Sequence, residues 1–257
     1  MKKQVMVLVL CLVSLVLVFT GCKKIEEPLS ISPKVGEIVL NDGSRVPFSR
    51  NIALTPEQKK KAVAIIVMAR REGNSIFEVA LGLHQDRDRS WGDDTISIPE
   101  IECWSTEGSK VSAARNTKIT GDLFGHDNYE EIKKVDKNIN SNDYGIFERA
   151  EKYSEISGVN ITDKFTTGWY VPSLAELCEL FKVKNAVNIA LEALGKAQLR
   201  DLYWSSSQFP GSEGKEAWLV NFNDGKLMNA SKKASGITSG TDSKEEIKAI
   251  YFVSIPR

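Results

Sequence analysis

Gly168-Trp169-Tyr170-Val171-Pro172-Ser173-Leu174-Ala175-Glu176-Leu177 compresses a strand end and a helix start into one short stretch. Gly168 permits close approach of a neighbouring chain segment, and Pro172 cannot donate to a strand ladder, so the strand stops there. Ser173, with Glu176 three residues on, is a capping box, in which the two side chains satisfy backbone N–H groups that a helix start leaves unpaired. The helix it opens places Leu177, Leu180 and Phe181 on one face. A second helix is predicted over 186–194, ended by Gly195.

Beyond Gly195 the pattern changes to strands, predicted over 203–206, 217–222, 227–229 and 249–255. Asn223-Asp224-Gly225-Lys226 has the composition of a hairpin turn, whereas 231–243 is polar and glycine-containing and reads as a loop. Trp169, Trp204 and Trp218 can each bury roughly 150 to 250 Å², enough to knit helices onto a small sheet, and are expected in the core.

Upstream, Ile38-Val39-Leu40 and Arg45-Val46 flank Asn41-Asp42-Gly43-Ser44, a second hairpin signal. Thr55-Pro56-Glu57-Gln58 supplies an N-cap, a proline at the first helical position and a glutamine at the third, which starts a short helix. The β-branched run 63–67 predicts a strand, paired with 76–83 across Arg71-Glu72-Gly73-Asn74. Residues 85–120, polar around Trp91 and Trp104, read as ordered but irregular, and helical spacing appears in 129–135 and 147–156. No long repeat occurs.

The amino terminus has a different character. Lys2 and Lys3 precede a run from Val5 to Phe19 that only Cys11 and Ser14 interrupt, and Thr20-Gly21-Cys22 follows. The run falls short of the roughly 20 residues a spanning helix requires, so 1–21 reads as a cleaved signal peptide. Small residues leading into Cys22 resemble the bacterial lipobox, which implies diacylglycerol on the Cys22 thiol and cleavage before it. Each buried methylene of the acyl chains contributes roughly 0.8 kcal/mol, and two or three chains anchor a protein durably. Residues 22–34, with Pro28 and Pro33 and no apolar periodicity, form a lipidated tether, and 35–257 is expected to be one domain.

Cleavage leaves 32 of the 34 basic side chains against 34 acidic ones, a formal charge of −2 that offers no footprint for nucleic acid. With Cys11 removed and Cys22 lipidated, Cys103 and Cys178 are the remaining thiols, and both a disulfide and two buried free thiols stay open. His84 and His126 stand alone, without metal-type spacing, so no metal or cofactor is expected.

The Gly168 to Leu177 stretch, then Tyr203-Trp204-Ser205-Ser206-Ser207, then Ala217-Trp218 leading to Phe222-Asn223-Asp224-Gly225, resemble in order the formylglycine-generating-enzyme-like branch of the C-type lectin fold. In particular the chain is similar to treponemal variable proteins, the lipoprotein targets of diversity-generating retroelements. Gly36 to Ser44 and Leu81-Gly82-Leu83-His84-Gln85 share the likeness, which spans most of 35–257. It implies an α+β, C-type lectin-like fold of the sulfatase-modifying-factor type, with small twisted antiparallel sheets, packed helices and N-terminal β-hairpins. It also implies a ligand-binding face within 205–243, where Trp218, Asn221, Asn223, Lys226, Met228 and Asn229 alternate and one set points outward. The oxidase chemistry of that branch needs late cysteines, and none follows Cys178.

Three functions compete. The first is a non-catalytic envelope lipoprotein, held on the outer membrane and facing the periplasm or the outside, that binds a protein or glycan as a monomer. The second is an envelope enzyme built from His84 or His126 with Asp86, Asp88 or Asp127 and a serine such as Ser205, although no nucleophile elbow frames them. The third is a structural, self-associating envelope component.

Overall fold

In the computed structural model, which describes residues 34–72, 74–136, 144–157, 168–238 and 244–256, the first hairpin forms as its turn residues dictate. β1 (Ile38–Leu40) pairs antiparallel with β2 (Arg45–Val46), and Gly43 takes φ 82° in the turn between them. Residues 1–33, which hold the expected signal peptide, Cys22 and all of the expected tether but Lys34, lie outside the described residues. α1 (Pro56–Lys61) starts on the Thr55 capping box. β3 (Ala62–Glu72) then runs beyond its predicted length and pairs with β4 (Ser75–Gly82) to its last residue. Val63 through Met68 are all essentially buried, which is the apolar run of a strand covered on both faces.

The segment predicted as irregular holds more structure than its composition suggests. A 3-10 turn (Pro99–Ile101), β5 (Cys103–Ser105), the single-turn α2 (Ala113–Asn116) and β6 (Ile119–Gly121) follow one another, and β5 pairs with β6. α3 (Asn128–Val135) matches its prediction, whereas the expected single helix over 147–156 is two, α4 (Gly145–Glu151) and α5 (Tyr153–Ser157), parted at Lys152.

β7 (Trp169–Tyr170) leads into α6 (Leu174–Ala193), whose capping box at Ser173 forms as read. The two predicted helices are one helix of 20 residues. The buried stripe of Leu177, Leu180, Phe181, Val187, Ala190 and Leu191 crosses the polar Lys184-Asn185 without a break, and packing of that stripe overrides the local pause. Gly195, at φ 69°, ends it.

β8 (Leu202–Gln208), β9 (Glu216–Asn221) and β10 (Leu227–Ser231) follow. The predicted 231–243 loop is a correction: it contains β11 (Gly236–Thr238) and leads into β12 (Lys244–Lys248), and the two pair antiparallel. The last strand is β13 (Phe252–Pro256), shorter at its start than predicted because Ala249 makes only a bridge to Asp86. One sheet has the order β2-β1-β3-β4-β13-β7, and the second has β10-β9-β8-β12-β11, with β12 against β8 its parallel pair. The protein is therefore α+β, with antiparallel sheets dominant and few helices.

α6 packs against both larger sheets, and its core holds Leu177, Phe181, Tyr203, Trp218 and Phe252. The opposite faces share a second core with Trp91, Phe147, Tyr153, Trp169 and Trp204. Trp169, Trp204 and Trp218 are 8%, 0% and 5% exposed, so all three are core as expected.

The two quoted motifs meet in a buried polar junction. Glu176 accepts from the Ser173 and Gly125 backbone N–H groups (2.9 and 3.0 Å) and from the Tyr170 hydroxyl (2.9 Å). Ser207 Oγ accepts from the Leu174 N–H (3.0 Å) and donates to Asp122 (2.9 Å), and Asn128 donates to both Asp122 and Ser206. Burial pushes the Asp122 carboxyl up to about 8 despite its Asn128 and Ser207 donors, with the Glu176 charge adding to the rise. Burial likewise raises Glu176.

Three stability outcomes follow from this junction. Ser173→Ala removes the cap and the donor to Leu123 O, and is expected to lower unfolding stability by about 1 to 2 kcal/mol in urea titrations. Gly125→Ala would set a Cβ 2.2 Å from the Val171 carbonyl oxygen, a backbone clash expected to cost about 1 to 3 kcal/mol in the same titrations. Asp122, raised from 3.8 to about 8, binds its proton more tightly when folded. Its contribution is full below the unfolded value and is lost as pH rises through the folded one. Wild type should therefore lose stability relative to Asp122→Asn between pH 5 and pH 8, and a constant difference between the two would contradict the assignment.

Candidate functional site

The predicted ligand face is a hairpin in which β9 and β10 pair from Val220↔Leu227 to Glu216↔Ser231. Asn223-Asp224-Gly225 makes the turn. The Gly225 N–H donates to Asn221 O, and Gly225 takes φ 80° where a Cβ would meet Phe181 at 2.7 Å. Asn221 Oδ1 accepts from the Asn223 N–H, so its side chain braces the turn.

The structure divides the six candidates. Trp218 does not face a ligand: it is buried, its indole donates to Cys103 O at 2.8 Å, and its ring meets Phe209 at 4.6 Å. Both faces of this sheet carry core, one through Val220 and Leu227 and the other through Leu219 and Ala217, so alternation does not separate inside from outside. Met228 packs partly on the second core, and Asn221 and Lys226 are half-buried. Asn223 and Asn229 are exposed. They do not share a site, because Asn223 lines a shallow depression with Lys184, Asn188 and Arg200, whereas the Asn229 amide donates to Glu216, on the rim of another.

That second depression is the larger, at about 580 Å³, and lies within the C-terminal loops. The β8–β9 connection supplies Gly211, Ser212, Glu213 and Lys215, β9 and β10 supply Glu216 and Ser231, and Asp94 closes it. Gly211, Glu213 and Gly214 all take positive φ, and Ser212 Oγ accepts from the Glu216 N–H while donating to Phe209 O. The rim charges pair locally, Lys215 with Glu213 and Lys233 with Asp94. Polar groups of both signs thus line an open concavity.

Under this rim lies a cluster that sequence reasoning missed. Lys232 is fully buried, its Nζ donating to Ile96 O and Gln208 Oε1, both at 2.8 Å, beneath the Trp91 ring at 4.4 Å. Burial lowers its pKa to about 8, against the pull of Asp93, Asp94 and Glu102. Sequence carries no signal for this, since Lys232 sits in a polar run beside Lys233. A cleft of about 280 Å³ between His126, Tyr129, Glu151 and Trp169 was also unforeseen. Trp104, expected only as part of an irregular segment, is 56% exposed on β5.

Of the residues considered for an enzyme, His84 meets Asp86 and His126 meets Asp127, and Ser205 joins neither pair. His84 lies 3.3 Å from Asp86, whose carboxyl Arg149 grips through two bonds and the Tyr251 hydroxyl through a third. Burial opposes those bonds, but they hold Asp86 below the usual carboxylate range. His126 contacts Arg70 and Asp127, and Ser205 is buried with its hydroxyl on Trp218 O, bonded to neither histidine. Asp88 is notable only for φ 55°. Cys103 and Cys178 are buried free thiols, both raised in pKa by burial. Among the described residues no helix is long and apolar enough to cross a membrane.

No family model and no curated protein matches the chain. Its fold is similar to that of a solved fimbrial protein from Bacteroides ovatus, at 19% identity and a TM-score of 0.57 over 86% of this chain. The chain spans about half of that protein, 48% of its length.

Proposed function

We propose that this chain is a lipid-anchored envelope protein that binds a protein or glycan, without catalysis, through the loops around β9 and β10. The open, polar depression between Gly211, Glu216, Ser231 and Asp94 carries the reading. It is concave, lies within the region singled out by the lectin resemblance, and is walled by hydrogen-bonding groups of both kinds. Of the sequence candidates, Asn229 belongs to this rim through Glu216, and Asn223 to the neighbouring depression. The C-type lectin-like fold of the formylglycine-generating type is part of the same proposal. The α+β architecture and the meeting of the two signature motifs in one junction support it.

Anchoring rests on Cys22 and the leader before it. The likeness to a fimbrial protein supports a place at the cell envelope or surface. It also favours a second reading, a subunit that associates with its own kind in a surface structure. Mass measurement of the detergent-extracted chain at high concentration separates the two, since a persistent monomer excludes self-association.

Titration against a panel of extracellular-matrix proteins and glycans is expected to find a ligand. Glu216→Ala combined with Asn229→Ala should then weaken it about tenfold, the equivalent of about 1.4 kcal/mol. Silence across the whole panel, or unchanged affinity in the double variant, would contradict the assignment. Cys22→Ser is expected to move the protein from the membrane to the soluble fraction, and protease treatment of intact cells to remove the domain if it faces outward. A wild-type chain with an unmodified Cys22 thiol or an intact leader would overturn the anchor.

A further inference from the structure

Gln208, the last residue of β8, is fully buried and its amide is held on every side. Its carbonyl oxygen accepts from the Ile98 backbone N–H at 3.0 Å and from Lys232 Nζ at 2.8 Å. Its amide nitrogen donates to Glu102 Oε1 at 3.0 Å and to Ser97 Oγ at 3.3 Å. A buried primary amine, a buried, polarised carboxamide and a half-buried carboxylate on the leaving nitrogen are thus collected in one place. Trp91, fully buried, covers the amine.

We propose that Lys232 and Gln208 join in an intramolecular isopeptide bond, with Glu102 as the proton carrier. The chemistry balances without an oxidant or reductant. Neutral Nζ adds to the Gln208 carboxamide carbon, forming the new C–N bond, and the negative charge that develops on the oxygen faces the Ile98 N–H. In the adduct both nitrogens sit on one carbon, which brings the Nζ proton to Glu102, already bonded to the amide nitrogen, and Glu102 takes that proton and delivers it to the departing nitrogen. The original C–N bond then breaks and one molecule of ammonia leaves. The product is a secondary amide between β8 and the end of β10.

Two properties of the site favour the reaction. Burial brings the Lys232 ammonium down to about 8, so roughly a tenth of the chains carry a neutral amine at pH 7. The fold also places the amine 2.8 Å from the amide oxygen, and such intramolecular placement replaces the entropy cost of an encounter.

The test uses the full chain, made with its leader, extracted from membranes in detergent, denatured and digested with trypsin. The peptide carrying Gln208 spans 201–215 and the one carrying Lys232 spans 227–233. They are expected to be recovered joined, lighter than their sum by one ammonia, with no cleavage after Lys232. Recovery of the two peptides separately at their sequence masses, with cleavage after Lys232, overturns the proposal and leaves Lys232 as a hydrogen-bonded buried lysine. Glu102→Gln, checked for native folding by its near-ultraviolet circular dichroism, should yield unjoined peptides. Full joining in that folded variant overturns the role given to Glu102.

Discussion

The fold depends on satisfying the polar atoms where the start of α6 is driven into the interior. A helix N-terminus leaves four N–H groups unpaired, and at an exposed end water would take them. Here Ser173, Leu174 and Glu176 are buried, so each N–H needs a protein partner or costs about 1 to 3 kcal/mol. Glu176 returns to Ser173 N, Ser173 Oγ covers Glu176 N, and Ser207 reaches over from β8 to cover Leu174 N. That last bond ties the sheet containing β8 to the helix which the other sheet also packs against. The Glu176 bond to Gly125 N brings in the connection between β6 and α3, and the close approach of Gly125 to Val171 O leaves no room for a side chain there.

The serine run of β8 belongs to the same constraint. Pairing between β8 and β9 shifts register between Trp204 and Gln208, which frees Ser205, Ser206 and Ser207 from a regular ladder. Ser206 N then finds Pro172 O, two residues past the end of β7, while Ser205 Oγ donates to Trp218 O. Hydroxyls suit this position because each both donates and accepts, as Ser207 does between Leu174 N and Asp122. The same side chains that look like candidate nucleophiles in the sequence are committed to holding the two motifs together.

Much of this was legible in the residues. Both capping boxes, both Asn-Asp-Gly hairpins and the long β-branched strand form where local chemistry dictated, since each is settled by neighbours a few positions away. What was not legible depends on distant partners. The Lys184-Asn185 pause in α6 is bridged because Lys184 donates to Phe222 O and Asn188 pairs with Leu199, contacts with residues far along the chain. β12 hides in a charged run, with Ile247 buried on the core, because β8 supplies its ladder. At the hairpin the location was readable but the outward face was not, for a strand sandwiched between two cores gives alternation no polar side. The buried Lys232 had no local signature of any kind.

Two buried charges show what the interior tolerates and why the base of the loop site is unusual. Asp86 loses hydration but gains two guanidinium bonds and a hydroxyl, and hydrogen bonds to charged groups are each worth about 1.5 to 3 kcal/mol, so its ionised form is favoured. Lys232 loses hydration to a comparable degree and gains two neutral carbonyl acceptors and an aromatic face. Its carboxylate neighbours, Asp93, Asp94 and Glu102, pull on it without bonding to it, so the neutral form gains ground and its pKa falls. A buried ammonium without a bonded counter-charge is an expensive way to hold a loop. The main chain of residue 232 holds this one as well: the Lys232 carbonyl receives the Trp91 and Gly92 N–H groups, and its own N–H reaches Lys215 O, on the wall of the depression. The rim is thereby fixed from beneath, so Lys215, Glu216 and Ser231 stand on a hydrogen-bonded floor, which is the preorganisation that the proposed binding would use.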